Sequence, residues 1–164
     1  MKKLALVAAL VLPVFAPGPL SGQVNLGAQI SWADNADFGF GGRIAARSPL
    51  VDPAIEFIGT FDFFFPGVPA GADDSAYWEA NLNFVYNIPV QHESLRPYAG
   101  GGLNIAYGSV TIGSVKASST DVGANLLGGI KYVKGAIIPF GEIRYELGGG
   151  EQFVLTGGFL FVIS

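Results

Sequence analysis

The sequence predicts an all-β chain, an eight-stranded antiparallel up-and-down transmembrane β-barrel, and three observations lead there. Tyr77–Asn87 alternates between an apolar face (Trp78, Ala80, Leu82, Phe84, Tyr86) and a mostly hydrogen-bonding one (Tyr77, Glu79, Asn81, Asn83, Val85, Asn87), because successive side chains on a strand point to opposite sides. Half of the 164 residues are apolar and only 13% are charged, yet after the leader there is no apolar run of about 18 residues that would form a membrane helix. Finally, every charge well inside a predicted strand falls on the same side of the alternation. A strand that crosses a bilayer needs about 9–11 residues with aromatics near both interfaces, and Tyr77–Asn87 has that length and those rings.

The chain begins with a targeting segment. Met1-Lys2-Lys3 is a positive start, Leu4 to Leu12 an apolar run too short to anchor, and Pro13 to Gly22 a helix-broken stretch of small residues. Residues 1–22 are expected to be a signal peptide, leaving a barrel domain over 23–164. Without Lys2 and Lys3, seven basic residues face thirteen acidic ones, a balance that argues against nucleic acid as a partner. The absence of cysteine excludes disulfides, a thiol nucleophile and a lipidated N-terminal cysteine.

Eight strands follow, bounded by Gly, Pro, Asn, Asp and Ser: Val24–Trp32, Phe38–Ala46, Ala54–Phe64, Tyr77–Asn87, Pro97–Tyr107, Asp121–Tyr132, Ile138–Leu147 and Glu151–Ile163. An even count returns both chain ends to one side of a membrane. The connections read as a short acidic turn (Ala33–Asp37), a two-proline turn (Arg47–Pro53), a longer loop (Phe65–Ala76), the turn Ile88–Arg96, a Ser- and Gly-rich loop (Gly108–Thr120), and the short links Val133–Ile137 and Gly148–Gly150. With the N-terminus on the periplasmic side, Phe65–Ala76 and Gly108–Thr120 are the main external loops. Pro139 forfeits a ladder hydrogen bond, so the seventh strand is expected to begin there or to carry a bulge. The glycine pairs Gly101-Gly102, Gly128-Gly129 and Gly157-Gly158 would let a small barrel bend sharply.

The alternation also assigns an interior. Arg43, Glu56, Asp62, Glu79, Lys131, Glu142, Arg144 and Glu146 fall on the face opposite Leu26, Phe57, Phe61 and Phe159. A basic residue aimed at the bilayer midplane costs about 2–4 kcal/mol, so this sorting has a physical cause. An eight-stranded barrel is only wide enough for its own side chains, and these eight residues are expected to form a charge network filling the lumen. Folding the third and fourth strands about their loop sets Asp62 beside Glu79, two carboxylates that repel, with Arg43 the candidate to reach between them. Five acids against three bases motivate an alternative, a narrow cation-favouring pore. Trp32, Trp78, Tyr86, Tyr107, Tyr132 and Tyr145 are the expected interface aromatics.

Catalytic constellations are weak. Asp73-Asp74-Ser75 sits in a predicted external loop, but the single histidine, His92, lies in a turn at the opposite end. A general base must reach the group it activates. One histidine and no cysteine give no metal set, and no cofactor is called for.

With these residues in view, the chain resembles the small outer-membrane β-barrels of the OmpA/OmpX-like group. The likeness is clearest at Arg96-Pro97-Tyr98-Ala99-Gly100-Gly101-Gly102-Leu103, at Pro139-Phe140-Gly141-Glu142-Ile143-Arg144-Tyr145 and in the closing Phe159-Leu160-Phe161-Val162-Ile163. The resemblance implies a monomer in the outer membrane, in contact with its lipid and lipopolysaccharide and inserted by the outer-membrane assembly machinery. That machinery reads a final strand usually ending in an aromatic, whereas this chain ends Val162-Ile163-Ser164. It implies a non-enzymatic structural, envelope-integrity or adhesive role through the external loops, with a lipid A-modifying enzyme the remote alternative.

Overall fold

The computed structural model describes residues 23–47, 52–148 and 151–163. The expected signal peptide, residues 1–22, lies outside them. Eight strands run in order: β1 (Val24–Ala33), β2 (Asp37–Ala46), β3 (Ile55–Phe64), β4 (Asp74–Asn87), β5 (Leu95–Ile112), β6 (Val115–Tyr132), β7 (Ile137–Leu147) and β8 (Gln152–Val162). Each pairs antiparallel with its sequence neighbour, and β1 pairs with β8 from Asn25↔Val162 to Ala33↔Val154, closing the barrel. Closure removes the unpaired edge that an open sheet would expose. No helix among the described residues is long and apolar enough to cross a membrane.

The two ends of the described residues, Gln23 and Ile163, lie at one rim, the terminal end. The other, the loop end, carries the Asp34–Ala36 turn, the 65–73 loop and the tip at 113–114. Within the barrel wall, outward side chains are apolar, glycine or small: Ile30, Phe40, Phe61, Leu103, Leu126 and Ile143 are all exposed. The only charged outward positions on the described strands are Asp74 and Lys116, both beyond the wall at the loop end.

Two expectations change. Gly108–Thr120 is no loop: β5 and β6 continue as a ribbon through Ile112↔Val115, turning at Gly113-Ser114. Ser109, Val110, Thr111 and Ile112 facing Val115 to Ser118 have enough β-branched residues to sustain a ladder. Gly113 takes φ 59°, the left-handed first position that a type II′ hairpin requires. The register with β7 begins only at Ala124↔Leu147, so Val115–Gly123 has a partner on one side alone among the described residues.

Pro139 neither starts its strand nor bulges it. β7 begins at Ile137 and its pairing to β8 runs unbroken through Pro139↔Phe159, while the β6 ladder stops at Lys131↔Phe140. No bond to β6 is therefore asked of the proline.

The glycine pairs have a reason beyond bending. Gly129 points inward beneath the Tyr98 phenol, where a Cβ would collide with the ring, and Gly102 stands in the same relation to the Asn83 amide. Inward glycine is what makes room for the large side chain at the directly paired position of the neighbouring strand, Tyr98 opposite Gly129 and Asn83 opposite Gly102.

Candidate functional site: the barrel lumen

From the terminal end upward the lumen is layered. Glu56, nearly fully buried on β3, accepts from Lys131 Nζ at 2.6 Å and from Arg47 Nε at 3.0 Å. Above it lies an apolar plug of Ala45, Ile58, Val85, Leu127, Phe140 and Leu160, with Tyr98 among them. The Lys131 ammonium sits 4.8 Å from the centre of the Tyr98 ring, a cation–π contact that joins the two layers.

Arg43 forms the next layer. It grips Glu142 with two parallel bonds of 2.9 and 2.6 Å, donates from Nε to Gln29 Oε1 at 2.8 Å, and lies 4.2 Å over the Phe140 ring. Tyr98 donates to the same carboxylate at 2.7 Å. Such a two-pronged arginine pair fixes geometry as well as charge.

The register pairs Asp62 with Glu79, but Arg43 does not separate them. Its β3 partner is Thr60, and its guanidinium reaches across the lumen to β7 instead. Asp62 is held by neutral donors: both its oxygens accept from Gln29 Nε2, at 2.7 and 2.9 Å, and one accepts from Ser31 at 3.2 Å. Gln29 therefore links Arg43 to Asp62, its carbonyl facing the cation and its amide the anion.

Glu79 is neutralised by another arginine. Arg144 donates from Nη2 to Glu79 at 3.0 Å and from Nε to Glu146 at 2.7 Å, standing between two carboxylates. Gln152 Nε2 contacts both of these acids, and Tyr77 donates to Glu79 at 2.6 Å. Asn104 Nδ2 donates to Glu146 at 2.9 Å. Phe64, Ala33, Ala36 and Val154 form an apolar cluster at the loop side of this layer, with Tyr77 packed against them.

All eight residues assigned to the interior are at most 3% exposed. The structure places Arg43 with Glu142, Lys131 with Glu56, and Arg144 with Glu79 and Glu146 and, at 4.0 Å, with Glu142, and gives Asp62 no direct ion pair. Tyr98, Tyr77 and Arg47 also bind this network and were not among those eight. Tyr98 shares the even parity of Asn104 on the same strand, which was the available signal. Arg47 lies beyond its strand, where alternation gives no direction.

The aromatics divide between the ends. Trp32, Trp78, Tyr107 and Tyr145 lie toward the loop end, and Tyr86 and Tyr132 at the terminal end. Trp78 stacks between Phe61 and Tyr107, each at 5.5 Å between ring centres. Phe40, Phe63 and Phe65 form a second group at the loop end. Their phenylalanine rings have no polar tip to mark them as interfacial in sequence.

His92 accepts the Ser94 and Leu95 backbone N–H groups at the terminal end. Asp73 is engaged at the other end, accepting from Gly113 N–H at 2.5 Å, and Ser75 donates to the Pro66 carbonyl. These residues share no site. Among the described residues, no three His, Cys, Asp or Glu side chains are grouped to hold a metal.

No family model and no curated relative matches the sequence. Solved structures do match. The N-terminal β-barrel domain of Pseudomonas aeruginosa OprF superposes with a TM-score of 0.66 at 18% identity, covering 86% of this chain and 97% of that one. Neisserial surface protein A gives 0.64 at 20%, covering 87% and 97%. Ail, the attachment invasion locus protein of Yersinia pestis, gives 0.59 at 13%, again covering 87% and 97%. The fold is that of the small outer-membrane β-barrels. Within this OmpA/OmpX-type fold the wall is apolar and the charges lie in the lumen.

Proposed function

We propose that this chain is a non-enzymatic barrel of the outer membrane, exported by residues 1–22, with its lumen filled by its own side chains and a structural or adhesive role at its loop end. The single observation that carries this reading is the sorting of charge: the barrel wall presents no charged side chain outward, while eight charged residues are buried inside. A water-soluble barrel has the opposite need. Its outer wall must be wetted, and an apolar belt of this extent would drive aggregation. Lipid and lipopolysaccharide are the partners that suit such a belt, and the outer-membrane assembly machinery is the partner that β8 would meet. The barrel closes within one chain, so a monomer is complete.

Non-enzymatic status is supported by the separation of His92 from Asp73 and Ser75, and by the engagement of each in turn hydrogen bonds. For adhesion, the loop end offers Asp34, Asp37, Asp73, Asp74, Asp121 and Glu151 against the single cation Lys116. A structure of Ail was solved in complex with a heparin analogue. Polyanion binding does not suit the acidic rim of the present chain, and a cationic or neutral partner does. Cell fractionation with a heat-modifiability gel tests the location: the folded protein is expected in the outer membrane and to shift its migration on boiling. Recovery in the soluble fraction would overturn the reading. The excess of acids favours one competing role, a cation-favouring pore, against which stand the apolar plug and the interlocked arginines. Planar-bilayer recordings are expected to be silent, and steady cation-selective current would replace a filled lumen with a conducting one.

A further inference from the structure

The terminal-end mouth of the lumen holds more positive charge than its one acid balances. A cavity of about 230 Å³ lies there, lined by Asn25, Arg47, Arg96 and Lys131, with Val133 and Ile138 on its apolar side. Lys131 is only 3% exposed, Arg47 is half-buried and Arg96 stands exposed at the rim. The other titratable groups of this rim, Asp52, His92, Glu93 and Lys134, do not line the cavity.

Two features of this mouth point to an anion. The register sets Arg96 directly opposite Lys131, and Arg96 shares the inward parity of the buried Tyr98 on the same strand. Like charges facing each other across a ladder destabilise it, so the pair is relieved by an anion between its heads. Glu56 is the one acid bonded here, and both its oxygens are committed, one to Lys131 and the other to Arg47. What the mouth has left is donors. Only Nε of Arg47 serves Glu56, and its two Nη groups, like every nitrogen of the Arg96 guanidinium, have no acceptor among the described residues. The Lys131 ammonium has three N–H bonds and a single oxygen partner.

We propose that this cavity binds a phosphate dianion, free or as a monoester, held by the guanidinium forks of Arg47 and Arg96 and by the Lys131 ammonium. Charge decides among the anions. Three cations less the Glu56 carboxylate leave two positive charges, and a phosphate monoester carries about −1.5 to −2 at neutral pH. A carboxylate or a phosphodiester brings one negative charge and leaves the mouth positive. Geometry agrees, since a planar guanidinium bonds two phosphate oxygens in parallel and a monoester has a third for the ammonium. Val133 and Ile138 exclude water from one side of the cavity, which strengthens each charged contact. The site involves the terminal-end mouth alone and does not depend on the proposed membrane role.

The full mature chain, refolded in detergent micelles, is titrated at constant sodium chloride and mildly alkaline pH with sodium phosphate, methyl phosphate and dimethyl phosphate in parallel. NMR follows the Arg47 Nε–H and the backbone amides of Arg96 and Lys131. Saturable shifts at these positions are expected with the dianions, and an affinity at least tenfold weaker with the singly charged diester. Methyl phosphate binding as tightly as phosphate would identify an ester on a larger molecule as the source, and phosphate binding alone would identify the free ion; either supports the proposal. Arg96→Gln should weaken phosphate binding at least tenfold, while Lys116→Gln at the loop end should leave it unchanged. The band shift on boiling establishes that the variants fold. Arg96→Lys, which keeps the charge and loses the fork, should fall between the wild type and Arg96→Gln, and it carries the test should Arg96→Gln fail to refold. Absence of saturation, equal affinity for the diester, or undiminished affinity in the Arg96 variants would each overturn the proposal, and none of these results bears on where the barrel resides.

Discussion

At the terminal end of the lumen, one acid is shared by two bases: Glu56 holds Lys131 and Arg47, with Arg96 lining the same 230 Å³ cavity. At the loop end the ratio is reversed, because Arg144 stands alone between Glu79 and Glu146 while Asp62 and Asp121 have no cation. One barrel thus has a base-rich mouth and an acid-rich mouth, separated by the apolar plug around Ile58 and Phe140. The difference teaches that a buried ion pair is best judged by what its partners would lose. Glu56 has a spare cation and the Glu79–Glu146 pair has none.

The comparison can be broken by removing single cations. Arg144→Met leaves two buried carboxylates facing each other with only Gln152, Tyr77 and Asn104 as donors. Breaking a buried pair by deleting one partner costs about 3–5 kcal/mol, and this variant should reach the upper part of that range, read as a lowered urea midpoint for loss of the heat-modifiable band. Lys131→Met tests the other mouth. Arg47 continues to neutralise Glu56 there, so a loss of only about 1.5–3 kcal/mol is expected, of the size of a hydrogen bond to a charged group. Equal losses in the two variants would show that the spare base at the terminal end contributes nothing.

The smallest effect sharpens the picture by leaving the lumen untouched. Gly113→Val places a β-branched side chain at φ 59°, where strain of about 1–2 kcal/mol is expected for a non-glycine residue. Hydrogen exchange should quicken in the ribbon from Ser109 to Ser119, with the unfolding midpoint of the barrel unchanged. A global loss of stability would mean that the ribbon and the lumen unfold as one unit.

The strand count, the inward side of each strand and the eight buried charges were all legible in the chain, because period-2 alternation is a local property and each strand keeps its charges on one face and its apolar side chains on the other. The partners were less so. Arg43 was expected between Asp62 and Glu79, since sequence indicates which strands adjoin but not where a long side chain ends after crossing a lumen. Gly108–Thr120 was read as a loop because serines and glycines are turn-formers on average, while here Gly113 alone makes the turn and Asp73 secures it by accepting the Gly113 N–H. The apolar plug escaped notice for a related reason. Ile58, Val85, Leu127 and Leu160 are oily residues on the polar face, and only the stagger of eight strands gathers them at one height.

By itself the sequence determined sidedness: which residues meet apolar surroundings outside and which are enclosed, since each strand declares its two faces through its own alternation. The tertiary structure decided depth and pairing, stacking a base-rich layer, an apolar plug and an acid-rich layer along one axis. The physical reason is that direction across a sheet is set by the residue's parity, whereas height in a closed barrel is set by the register of all eight strands together.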